Sequence, residues 1–135
     1  MYSLTTAETA TQTIMVINSE DAFLIAVGML LEDEGYLVTT ASYQDSDPFA
    51  RVVAADPALV ILDFVHGKPD GWDLLARLDA DTRTCAIPLI ATSTDAELLD
   101  RVMQQPVSNR LRTFLLKPLD LEHLVDGVHQ MLHRE

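Results

Sequence analysis

Three polar residues close apolar runs in the second half of the chain: Asp63 after Leu59-Val60-Ile61-Leu62, Ser93 after Leu89-Ile90-Ala91-Thr92, and Lys117 after Thr113-Phe114-Leu115-Leu116. A carboxylate is a nucleophile that can take a phosphoryl group, and a nearby ammonium and hydroxyl can bind that group's oxygens as charge develops on them. The trio therefore has the chemistry of an aspartyl phosphate site. Each member also has a plainer reading. An Asp at the end of a strand often caps a turn, and a Lys before Pro is often a surface residue. The plain readings lose ground because the three coincide and because Lys68 and Lys117 are the only lysines in the chain.

The elements that must bring the trio together follow from periodicity. Five short β-branched or apolar runs, 13–17, 36–41, 59–62, 89–92 and 113–116, alternate with helical segments expected over 21–34, 48–55, 72–78, 95–104 and 121–132. Gly35 stands where a helix C-cap is expected, Asp47-Pro48 reads as an N-cap with proline at the first helical position, and Asp120 as another N-cap. In the last segment Leu121, Leu124, Val125, Val128, Met131 and Leu132 form the stripe of a helix lying on a sheet. Strands that are apolar throughout, such as 59–62, belong in a parallel sheet covered on both faces. The expected fold class is therefore α/β, with right-handed crossovers and ligands bound outside the carboxyl ends of the strands. Asn18-Ser19-Glu20-Asp21 reaches the same edge after the first strand.

Composition narrows the function. The chain has 135 residues, 48% of them hydrophobic, which suits one domain with a sizeable core. Nine Lys plus Arg against 21 Asp plus Glu give a net charge of -12, the wrong sign for gathering on nucleic acid or anionic lipid. The longest apolar run, Ala22 to Leu31, falls short of the roughly 20 residues of a spanning helix. The Thr- and Ala-rich residues 1–11 read as a flexible extension, and 12–135 as the domain. The single Cys85, with no signal peptide pattern, points to a cytoplasmic location. Gly-rich phosphate loops are absent from the sequence, which removes support for nucleotide binding. His129 and His133 have a chelating i, i+4 spacing, but helix-dipole stabilisation explains them more simply. His66 reads as a solvated loop residue, Trp72 as helix packing, and Arg101, Arg110 and Arg112 as a solvated basic cluster or a dock for an acidic partner.

Over residues 12 to 133 the chain resembles the receiver domain of bacterial two-component response regulators. Val60-Ile61-Leu62-Asp63 followed by Lys68-Pro69-Asp70-Gly71 is similar to the phosphoacceptor strand and its loop, and Ile87 to Ser93 to the fourth strand. Phe114-Leu115-Leu116-Lys117-Pro118 is similar to the fifth, with its switch aromatic and Lys-Pro pair. The resemblance implies a flavodoxin-like (βα)5 doubly wound parallel sheet of strand order 2-1-3-4-5. It also implies that Asp63 is the phosphoacceptor, that Lys117 and Ser93 hold the phosphoryl group, and that Phe114 is the switch residue.

The departures from the family pattern set the second expectation. Where receivers carry an acidic pair after strand one, this chain has Asn18 and Ser19. Mg2+ would then rest on Asp63 and the Val65 backbone carbonyl, and its affinity is expected to be weak or lost, because hard cations need several oxygen ligands. The expected function is that of a stand-alone response regulator in a phosphorelay and not of an enzyme. Its partners would be a sensor histidine kinase or phosphotransfer protein and a downstream protein, with homodimerisation as a further route of output. The alternative is a phosphorylation-independent pseudo-receiver that serves as a constitutive interaction module.

Overall fold

The computed structural model describes residues 12–105, 110, 112–118 and 120–133; the extension expected over 1–11 lies outside them. Five parallel strands, β1 (Thr13–Ile17), β2 (Leu37–Ala41), β3 (Leu59–Asp63), β4 (Leu89–Ser93) and β5 (Arg112–Leu116), form one sheet in the order β2-β1-β3-β4-β5. They alternate with α1 (Asp21–Asp33), α2 (Pro48–Ala55), α3 (Asp70–Ala80), α4 (Ala96–Met103) and α5 (Leu121–Leu132). This is the expected flavodoxin-like topology.

Successive strand residues point to opposite faces, and the core divides accordingly. Met15, Ile17, Val60, Leu62, Leu89 and Ala91 face one layer with the apolar stripes of α2, α3 and α4. Ile14, Val16, Leu59, Ile61 and Ile90 face the other, against α1 and α5. β1, β3 and β4 are almost wholly buried, whereas β5, at the sheet edge, leaves Phe114 and Leu116 exposed.

The caps behave as their residue types dictate. Asp47 accepts the Ala50 N–H ahead of Pro48, Asp120 accepts that of Glu122, and Gly35 supplies the positive φ that ends α1. Most boundaries fall where expected, and the others shift by one or two residues. α3 begins at Asp70 because Asp70 and Gly71, which look like loop residues, form its first turn, where Asp70 and Asp73 complement the helix dipole. Tyr36 lies just outside β2, buried. No helix among the described residues is long and apolar enough to cross a membrane.

Candidate functional site

Asp63 ends β3 at the carboxyl edge of the sheet and pairs in register with Thr92 of β4. Register partners in parallel strands share a face, so the Thr92 hydroxyl meets the carboxylate. Thr92 Oγ1 donates to Asp63 Oδ1 at 2.7 Å, and Lys117 Nζ lies 2.8 Å from the same oxygen. Asp63 is buried, and Oδ2 makes no hydrogen bond among the described residues. Lys117 is held from two sides. Its backbone N–H donates to the Ser93 carbonyl at 2.8 Å, and its ammonium sits 4.7 Å from the centre of the Phe23 ring.

The backbone beneath Asp63 is equally constrained. The Tyr43 hydroxyl donates to the Asp63 carbonyl, and the Phe64 N–H donates to Thr92 O at 2.8 Å. Burial, and then the negative charges of Asp63 and Asp70, push the Tyr43 hydroxyl far above its ordinary pKa, so it stays a donor. At Gly71 a Cβ would come within 2.8 Å of both the Asp63 carbonyl oxygen and the Phe64 ring, which reserves the position for glycine.

Asn18 and Ser19 form the opposite wall of a cavity of about 300 Å³ that Asp63, Lys68, Thr94 and Lys117 also line. Asn18 is 1% exposed; its Oδ1 accepts the Glu20 N–H at 2.9 Å, which identifies the other amide atom as the nitrogen. That Nδ2 has no partner among the described residues. The Val65 carbonyl accepts the Lys68 N–H at 3.1 Å. The Ser93 hydroxyl accepts the Asp95 N–H at 3.1 Å and keeps its own proton free to donate. Among the described residues, no group of three His, Cys, Asp or Glu side chains is placed to hold a metal ion. A groove of about 390 Å³ between β5 and α5 is larger, but it contains none of these groups.

The structure thus brings Asp63 and Lys117 together and seats Ser93 one residue beyond Thr92, with no hydrogen bond to Asp63 among the described residues. Phe114 points outward, 49% exposed, and is not a core ring. Thr92 and Tyr43 are the contributors that sequence reasoning missed, although the parallel pairing of 59–63 with 89–93 is the signal that would have found Thr92.

Of the three arginines, Arg101 is exposed, as expected of a solvated residue, but Arg110 and Arg112 are not free. Arg110 is buried, its Nη2 2.8 Å from Asp79 and its Nη1 donating to the Ile87 carbonyl, while Arg112 caps the carbonyls of Val102, Met103 and Gln105 at the end of α4. Both guanidiniums are used inside the fold and offer no dock. His66 is exposed but not merely solvated, because its Nδ1 lies 3.0 Å from Asp95 and ties the loop after β3 to the N-cap of α4. Trp72 packs edge-on against Phe64, as expected of helix packing. His129 and His133 both reach the Tyr36 hydroxyl, and His129 also reaches Glu34, contacts that join the ends of α1 and α5.

The sequence model of the response regulator receiver domain matches residues 14–129. The chain is 30% identical over 121 residues to the DNA-binding dual master transcriptional regulator RpaA of Synechocystis, covering 90% of this chain and 49% of that protein. It is 26% identical over 119 residues to Protein PilH of Pseudomonas aeruginosa, covering 88% and 96%. The chain therefore spans about half the length of the first relative and nearly all of the second. The Vibrio cholerae chemotaxis protein CheY4 superposes with a TM-score of 0.75 at 18% identity, over 90% of this chain and 99% of that one, a likeness of fold.

Proposed function

The chain belongs to the response regulator receiver domain family, and on that premise we propose that Asp63 accepts a phosphoryl group from a phosphohistidine donor and that another protein reads the result. The observation that carries this reading is Asp63 itself: one carboxylate oxygen is held by Lys117 and Thr92, and the other has no hydrogen-bond partner among the described residues. In the transfer, an Asp63 oxygen bonds to phosphorus as the P–N bond of the donor breaks. The bonding pair leaves with the imidazole, which takes up a proton from water. Lys117 and the free Ser93 proton bind phosphoryl oxygens. Lys117 directly follows β5 and Phe114 lies three residues before it on that strand, so a pull on the lysine reaches the exposed ring, which we assign as the switch. The partners of this reading are a sensor histidine kinase or phosphotransfer protein and a downstream protein in the cytoplasm, with self-association as a second route of output.

The divalent cation common in the family fits poorly. Asn18 Oδ1 is uncharged and already accepts the Glu20 N–H, the Val65 carbonyl already accepts the Lys68 N–H, and Asp63 Oδ1 faces an ammonium and a hydroxyl. One free carboxylate oxygen does not replace the ligands a hard cation needs. The same facts favour a second reading, a phosphorylation-independent module in which the neutral Asp63–Lys117 pair is the resting and working state.

The deciding experiment exposes the protein to phosphoramidate and locates added phosphoryl mass by mass spectrometry. Modification of Asp63, abolished in Asp63→Asn, is the expected result. An unmodified protein whose partner binding is unchanged by Asp63→Asn leaves the second reading in place.

A further inference from the structure

We infer that this cavity is an oxyanion site that works without a divalent cation, with Asn18 Nδ2 and Lys68 joining Lys117 as donors to a phosphoryl group. The inference rests on the phosphoacceptor reading of the same cavity and names how the cavity would manage the charge.

Three observations carry it. First, Asn18 is 1% exposed, lines the cavity, and leaves Nδ2 without a partner among the described residues. An unmade hydrogen bond on a buried donor costs on the order of 1–3 kcal/mol, and an acceptor entering the cavity would recover it. Because Oδ1 accepts the Glu20 N–H, the atom left without a partner is Nδ2, a donor that suits an anion's oxygen.

Second, both lysines of a chain with net charge -12 line this one cavity. They balance the carboxylates of Asp63 and Glu20, which line it too. An Asp at each of positions 18 and 19 would leave the cavity two charges more negative, the deficit a divalent cation offsets. With Asn18 and Ser19 that deficit does not arise. Third, the carbonyl of Val65 is turned to the Lys68 N–H, so the loop that could offer a cation an oxygen presents a lysine at the cavity instead. Hydroxyls of Ser19 and Thr94 complete a lining able to donate to an acceptor-only tetrahedral anion.

The test follows the Asn18 side-chain amide by NMR while inorganic phosphate is titrated into labelled protein in the presence of EDTA. Asp63→Asn is titrated in parallel, because it removes the carboxylate that repels free phosphate. Saturable movement of the Asn18 amide without metal is expected in both proteins, tighter in Asp63→Asn. Lys68→Gln, an exposed change that leaves the fold intact, weakens binding about fivefold, and Asn18→Asp weakens it by about tenfold or more. An Asn18 amide that does not move, or moves only when Mg2+ is supplied, overturns the inference. Phosphoramidate labelling in the same buffer separates it from its premise. Labelling that requires Mg2+ sinks the metal-free site alone, whereas absent labelling with an intact phosphate response sinks the phosphoacceptor reading alone.

Discussion

The two walls of the Asp63 cavity are built from opposite materials. On the β3-β4-β5 side, the carboxylate, hydroxyl and ammonium meet at one oxygen within 2.8 Å, on backbone locked by sheet hydrogen bonds and by Tyr43. On the β1-α1 side, Asn18 holds one local bond to Glu20 and leaves a buried donor unused. On the first wall the lysine and the threonine both converge on Asp63 Oδ1; on the second a buried donor is unpartnered among the described residues. The contrast teaches that the carboxylate with its direct partners and the residues across the cavity are positioned by different strands, so the charge facing Asp63 can be altered without touching the β3-β4-β5 side.

Rebuilding the second wall in acid is the strongest way to break that contrast. Asn18→Asp combined with Ser19→Asp adds two carboxylates to the Asp63 and Glu20 that already line the cavity, and in EDTA the protein is expected to lose about 2 kcal/mol of stability through like-charge repulsion. Millimolar Mg2+ should restore it, since a ligand that binds only the native state stabilises in proportion to its occupancy. Thermal melts with and without Mg2+ check both statements. The parent protein should show almost no Mg2+ response in the same assay, and a large one would mean that the second wall already holds metal.

A smaller effect sharpens the first wall. Thr92→Val keeps the shape and deletes one donor to Asp63 Oδ1, leaving Lys117 as that oxygen's partner. A hydrogen bond to a charged group is worth about 1.5–3 kcal/mol, so denaturant titration should register a loss toward the lower end of that range. A variant as stable as the parent would show that Lys117 alone satisfies the carboxylate.

These two walls were not equally legible in the sequence. Asp63, Ser93 and Lys117 could be read because each ends an apolar run, and a parallel sheet collects such ends at one edge. Most element boundaries came from the same periodicity, whereas the strand order came from the resemblance to receiver domains. Thr92 was hidden because a threonine inside an apolar run looks like strand filler; only its register with Asp63 reveals the hydroxyl's target. Arg110 and Arg112 misled for the converse reason. Charge in a sequence suggests solvent, yet Arg110 is buried against Asp79 and the Ile87 carbonyl, and Arg112 finishes a helix. The substitution at Asn18 and Ser19 was visible as a loss of metal ligands. The gain of an unpaired donor beside a second lysine needed the three-dimensional arrangement of loops, which no local pattern encodes.

The loops at the mouth of the cavity offer the finest discrimination between the walls, through Asp95. Its carboxylate is the N-cap of α4, accepting the Glu97 and Leu98 N–H groups, and it also meets His66 from the loop after β3. The Leu98 N–H, aided by His66 and the Glu97 N–H, outweighs desolvation and holds the carboxyl below its ordinary range. A group with a depressed pKa in the folded state contributes stability above its unfolded pKa of about 4 and loses it as pH falls through the folded value. Amide exchange within α4 should therefore quicken as pH drops below about 4, beyond the intrinsic trend of the chemistry. In Asp95→Asn, which keeps an oxygen for the cap but cannot titrate, that added dependence should vanish while α1, on the other wall, behaves as in the parent. Equal acid sensitivity of α4 in both proteins would place the titrating group elsewhere and remove Asp95 from the link between the Asp63 loop and α4.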